Sequence, residues 1–218
     1  MRSPRRDEAC RGAGPLRELG ALKEPQVWLT LGVAAIGFGG MFAVFSYITP
    51  TLIHVAGLPA QAVPFVLCVF GAGMVAGNIV GPRLADRSLL PTIGWLLMWN
   101  AAVLAIFSIA VHNPWTAIPA VFLVGTIFAS APALQTRLMD VGKEAQTLAA
   151  ALNHSAFNIA NALGAWLGGV AISAGYGWAS TGFLGAGLAL GGIAVFAASL
   201  ALHRAERRAG ASLARGVT

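Results

Sequence analysis

Leu148–Ile172 reads LAAALNHSAFNIANALGAWLGGVAI, a run of 25 residues without a charge. Coiled as a helix, a run of this length crosses a hydrocarbon core of about 30 Å. It nevertheless carries Asn153, His154, Asn158 and Asn161. His154, Asn158 and Asn161 follow at i, i+4 and i+7, so they share one stripe, while Leu152, Ile159 and Leu163 point elsewhere. An amide facing hydrocarbon without a partner costs several kcal/mol, so the stripe must meet another helix or a wet path. Two readings stay open: interhelical hydrogen bonds worth about 1 kcal/mol each, or a substrate pathway, the default for polar groups at membrane depth.

The rest of the chain has the composition of a membrane protein. Of 218 residues, 57% are hydrophobic and 10% charged, against about 25% charged in a soluble domain. The 27 glycines show no triplet repeat and suit helices that pack by close backbone approach. Cys10 lies in a polar leader and Cys68 in an apolar run, so no disulfide framework is implied. A net charge of +6 does not point to nucleic acid, because the cations flank apolar runs, where they meet lipid headgroups. The leader is not a signal peptide, since no apolar core follows its arginines directly.

Apolar runs recur at about 27–48, 62–84, 92–111, 115–134, 148–173 and 180–202, each close to the roughly 20 residues a spanning helix needs. The expected organisation is a polar leader over 1–26, a six-helix bundle over 27–202 and a basic tail over 203–218. Lys and Arg number six before the first helix, two at Arg83 and Arg87, two at Arg137 and Lys143, and four after Leu202. Those are all fourteen, and the eight acids follow the same partition. By the positive-inside rule both termini and these two connections are cytoplasmic, and the connection around Gly57 is outside. No carboxylate or ammonium is expected within a span, which leaves His154 as the titratable group at membrane depth.

Individual helices add detail. The first carries Gly37, Gly39 and Gly40 before Phe42, Phe45 and Tyr47, with Phe45 a candidate pathway residue and Tyr47 expected in an interfacial aromatic belt. The second places Gly73, Gly77 and Gly81 at four-residue spacing, giving one flat face beside Asn78. In the third, Asn100 is the strongly polar member, and Trp95 and Trp99 are expected to face lipid. Pro119 and Pro132 fall in the fourth, where neighbours or Ser/Thr side chains satisfy the freed backbone. The sixth, with Gly187 and Gly191, shows no distinctive chemistry. After the second helix comes Gly81-Pro82-Arg83-Leu84-Ala85-Asp86-Arg87, a carboxylate between two cations. Such a group latches a neighbouring helix end or cation, with Arg137 available on the other cytoplasmic connection; the alternative is a solvated turn.

This loop resembles the G-x-L-A-D-R signature of the major facilitator superfamily, which follows the second and eighth helices of those twelve-helix transporters. GFGGMFAVFSYITPTL, GAGMVAGNIVGPRLADR, APALQTRLMDVGKEAQTLAAALNHSAFNIANALGAWLGG and the following GYG resemble the second half of the drug/proton antiporter branch, above all arabinose-efflux and chloramphenicol-resistance permeases. The likeness runs from about Leu16 to Leu202. It departs where Ser88-Leu89-Leu90-Pro91 replace the usual Gly and further cations, and in having six helices rather than twelve. The resemblance implies an all-α membrane fold equivalent to one half of a facilitator. It also implies that the first and fourth helices line the central cavity, the second and fifth face the other half, and the third and sixth face lipid. Helices one to three and four to six would form an inverted repeat, which the sequence barely shows.

The expected function is transmembrane efflux of a small molecule such as a sugar or drug, with the proton as coupling ion. His154, Asn158, Asn161, Asn153, Asn78 and Phe45 are the substrate-pathway candidates, and Gly81, Arg83, Asp86, Arg87 and Arg137 the cytoplasmic gate. Expected partners are the lipid bilayer, the substrate, and an N-terminal six-helix half or a second copy; no nucleic acid, cofactor or metal is called for. The alternative is a half-size or truncated membrane protein that acts only on assembling with another half. An intramembrane enzyme is disfavoured: there is no HExxH and no pair of intramembrane aspartates, and Ser155 projects ~100° away from its neighbour His154.

Overall fold

The computed structural model describes residues 24–142 and 145–215. The leader up to residue 23, and Lys143 and Glu144 in the second basic connection, lie outside the described residues. Among the described residues, six helices are long and apolar enough to span a bilayer: α1 (Pro25–Ser46), α2 (Val63–Arg87), α3 (Leu89–Ala110), α4 (Pro114–Val141), α5 (Gln146–Ala171) and α6 (Ser180–Arg215). The described residues contain no strand, and the fold is that of an all-α membrane protein. Three ends differ from expectation. Pro25, preset for a first helical turn, starts α1 inside the supposed leader; α2 runs on through the signature to Arg87; α6 continues into the basic tail as far as Arg215.

The packing reveals the repeat that the sequence conceals. α1 packs on α5 and α6, α4 packs on α2 and α3, and α3 meets α6. Exchanging α1 with α4, α2 with α5 and α3 with α6 maps the first four pairings onto one another and α3–α6 onto itself, as a repeat of three helices requires. α1 and α4 are the inner helices, with 67% and 56% of their most apolar windows buried, against 28% for α2 and 22% for α5.

Small residues make the close pairings possible. Along α2, a Cβ on Gly73, Gly77 or Gly81 would run into the carbonyls of Phe122, Thr126 and Ala129 on α4. In the symmetry-related pair, Ala156, Ala160, Gly164 and Gly168 form the buried edge of α5, and Gly164 lies against the Gly39 carbonyl of α1. In lipid, where apolar burial drives nothing, this backbone proximity supplies the dispersion that joins helices.

Two helices bend for identifiable reasons. α4 tightens into a 3₁₀ turn at Ile127–Ala129 ahead of Pro132, where the Ser130 hydroxyl donates to the Ile127 carbonyl at 2.7 Å. Thr126 likewise donates to Leu123, so both hydroxyls turn back onto carbonyls one turn earlier beside the tightened turn. α1 breaks at Tyr47 (φ −116°, ψ 13°), and a short helix, Ile48–His54, continues beyond it. Tyr47 is therefore more than an interfacial ring. Its hydroxyl donates to Ala165 O on α5 at 2.8 Å and its ring covers Gly168 and Gly169, clamping α1 to α5 at the bend.

Candidate functional site: an asparagine stripe beside an aromatic wall

α5 has two faces of opposite character. Ala149, Asn153, Ala156 and Ala160 are buried toward the bundle, whereas His154, Asn158 and Asn161 are all exposed. The stripe thus points out of this six-helix unit, leaving its amides and imidazole to whatever lies beyond. Asn153, grouped with them by sequence adjacency, is turned roughly 100° from His154 and is 3% exposed; it sits in the packed face and apart from the stripe. Asn78 is exposed on α2 and its amide donates back to Met74 O at 3.0 Å, the bond a lone Asn makes on a helix surface.

Between these helices stands a wall of phenyl rings. Phe45, 42% exposed, stacks on Phe70 of α2 at 5.1 Å, and Phe70 meets Phe128 of α4 edge-on at 6.4 Å. Phe128 in turn packs on Phe38 of α1 at 5.4 Å, and Phe38 on Phe157 of α5 at 4.8 Å. One chain of rings therefore links α1, α2, α4 and α5, ending at Phe157, the neighbour of Asn158. Sequence reasoning found only Phe45. The others are scattered singly over four helices, and only the tertiary fold aligns them. Phe38 and Phe70 are buried in the core, so Phe45, Phe128 and Phe157 carry the accessible part of this wall; such rings and the amides of α5 suit a ligand with an apolar face and hydrogen-bonding edges.

The supposed cytoplasmic gate is distributed differently from expectation. Gly81 is buried against α4, while Arg83, Asp86 and Arg87 are exposed near the end of α2, in helix rather than loop. The Arg83 guanidinium donates back to Ile79 O at 3.0 Å. Arg137 is not on a connection: it belongs to the last turns of α4 and is 9% exposed. Its Nη2 approaches Gln26 Oε1 of α1 at 3.5 Å, and Ser199 of α6 donates to the same oxygen at 2.7 Å. The Gln26 amide returns a bond to Ser199 O at 3.2 Å. A charge thus sits inside a span, contrary to expectation, held in a polar knot of α1, α4 and α6.

Gln26 was assigned to the leader by sequence, because a lone amide next to a proline carries no helical signal. Replacing it with leucine strips the Ser199 hydroxyl and Arg137 of a shared acceptor, which costs about 1–3 kcal/mol. Gln26→Leu is expected to lower the thermal midpoint of the detergent-extracted protein by several degrees, whereas Gln26→Glu, which keeps the acceptor, retains most of the stability.

No protein-family model matches the chain. Relatives nevertheless cover most of it. It is 40% identical over 178 residues to the inner membrane transport protein YdhP of Escherichia coli K12, covering 80% of this chain and 46% of that protein. To the uncharacterized MFS-type transporter YfhI of Bacillus subtilis it is 35% identical, covering 77% and 43%. To a chloramphenicol resistance protein of Streptomyces lividans it is 34% identical, covering 72% and 40%. On this kinship and on its six-helix bundle, the chain belongs to the major facilitator superfamily and spans about half the length of the curated relatives it matches.

Proposed function

We propose that the chain is the C-terminal half of an efflux transporter that expels a small molecule such as a sugar or drug in exchange for protons. The observation that carries this is the open face of α5, with His154, Asn158 and Asn161 exposed, on a chain that spans about half the length of the relatives it matches. A second six-helix half laid on α2 and α5 would enclose the stripe and turn unpaired amides into ligand contacts. The substrate is held chiefly by Asn158, with His154 the titratable group on that face. Asp86, exposed near the end of α2, is the gate residue that meets the partner half, and Arg137 acts inside the bundle. The cycle involves binding and conformational exchange with no enzymatic step. The open amide face also supports a second reading, in which two copies pair through it, since amides both donate and accept.

The test combines sidedness and transport. With all fourteen cations on one side, tags at both termini are expected to report cytoplasm and a cysteine at Gly57 to be labelled from outside. Cells supplying this chain with a six-helix N-terminal half are expected to accumulate less labelled antibiotic or sugar than cells supplying either half alone, and a protonophore is expected to erase the difference. Accumulation unchanged by the second half sinks the proposal. Transport by this chain alone, with a dimer on native gels, favours the self-paired reading.

A further inference from the structure

α2 leaves a groove on its flank toward α3, away from the face carrying Asn78. A depression of about 200 Å³ is lined by Ala76, Val80, Leu84, Trp95 and Trp99 together with Thr126 of α4. A second, of about 320 Å³, is formed by Leu84, Pro91, Thr92 and Trp95. Sharing Leu84 and Trp95, the two make one apolar channel that follows α2 for about 12 Å from Ala76 to Leu84. Its wall is fixed. Trp95 and Trp99 lie in near-parallel planes with ring centroids 5.9 Å apart; the Trp99 indole donates to Thr126 Oγ1 at 2.9 Å; and Thr92 ties the start of α3 to Leu84 O at 2.9 Å.

Two cations of α2, Arg83 and Arg87, lie within a turn of Leu84, the α2 residue that both depressions share. At ~100° per residue, Arg83 and Arg87 fall on the same stripe of α2 as Ala76, Val80 and Leu84, whereas Asp86 is turned about 100° from Arg87, toward Val75 and Ile79. Both guanidinium groups are exposed. Arg83 spends one N–H on Ile79 O and keeps the rest, and the indole N–H of Trp95, 61% exposed, has no acceptor among the described residues. An apolar channel ending in two forked cations and an indole donor, at the edge of a membrane span, has the chemistry of a two-part ligand: a hydrocarbon chain with an anionic phosphate at one end.

We propose that this groove is a binding site for an anionic phospholipid, with one acyl chain along Trp95 and Trp99 and its phosphate between Arg83 and Arg87. Fixing such a lipid ties the end of α2 to α3. The pair of cations in the signature then serves headgroup recognition on one face of α2, while Asp86 remains on the other.

The test uses the full chain in phosphatidylcholine vesicles containing either brominated phosphatidylcholine or brominated phosphatidylglycerol. Quenching of Trp95 and Trp99 is isolated by difference from the Trp95→Phe/Trp99→Phe protein. Brominated phosphatidylglycerol is expected to reach them with a local preference of about thirtyfold, the scale of two cations acting on an anionic headgroup. Arg83→Gln/Arg87→Gln is expected to abolish the preference, and Arg204→Gln/Arg208→Gln, on the exposed end of α6, to keep it. Equal quenching by the two lipids in the unaltered protein overturns the proposal, whether or not the variants insert. So does a preference that survives in the Arg83→Gln/Arg87→Gln protein.

Discussion

Gly125→Leu and Gly164→Leu are each expected to remove almost all folded protein from the membrane. A Cβ at Gly125 would strike the Phe70 carbonyl and come within 2.9 Å of Met74 N, and one at Gly164 would strike the Gly39 carbonyl and come within 2.7 Å of Ala43 N. These obstacles are backbone atoms of α2 and α1, so no rotamer change clears them; whole helices must separate. Overpacking a well-fitted core costs about 1–3 kcal/mol, and here it also forfeits the close approach that joins two of the helix pairs. Gly187→Leu is the comparison, because a Cβ there meets nothing within 4 Å. Fluorescence-detected size-exclusion chromatography of detergent extracts is the measurement. A monodisperse peak of normal height for Gly164→Leu would mean that the α1–α5 pairing does not hold the bundle together.

The same glycines show what was legible in the sequence. Length and hydropathy set the number of helices, since roughly 20 apolar residues between polar clusters have one cheap solution in a bilayer. The flat face of α2 was readable because Gly73, Gly77 and Gly81 recur every four residues. That of α5 was missed, since alanines occupy half of its buried edge and look like ordinary helix formers. For Gly40 and Gly185, whose backbones meet between α1 and α6, no periodicity exists to read. Helix ends were misjudged where charge was taken to mean loop: Arg83, Asp86, Arg87 and Arg137 all lie in helix. Hydropathy averages over a window and cannot register one guanidinium buried by neighbours such as Gln26. The site was half readable. The stripe came from helical spacing alone, but the phenyl wall depends on side chains from four helices, so only packing could assemble it.

Asn158→Ala is expected to lower substrate efflux about tenfold or more, at unchanged membrane abundance, in a protein completed by an N-terminal half. The exposed amide makes no bond among the described residues that its loss would disturb, so folding of the half is spared. A buried ligand group deprived of its partner costs about 1–3 kcal/mol, which sets the size of the effect. Asn100→Ala is the matched control, with the same atoms deleted from the opposite environment. Asn100 is 0% exposed, its amide lies 3.4 Å from Ser130 Oγ, and its Oδ1 has no hydrogen-bond partner among the described residues. Deleting that amide alters the α3–α4 contact, so abundance and thermal midpoint should move while efflux per folded protein holds. Equal loss of efflux per protein in both variants, or a fall in abundance alone at Asn158, would make the α5 stripe adhesive between halves. Selective loss at Asn158 would place it on the substrate's path, because an amide that merely joined two halves would be felt first in how much assembled protein the membrane holds.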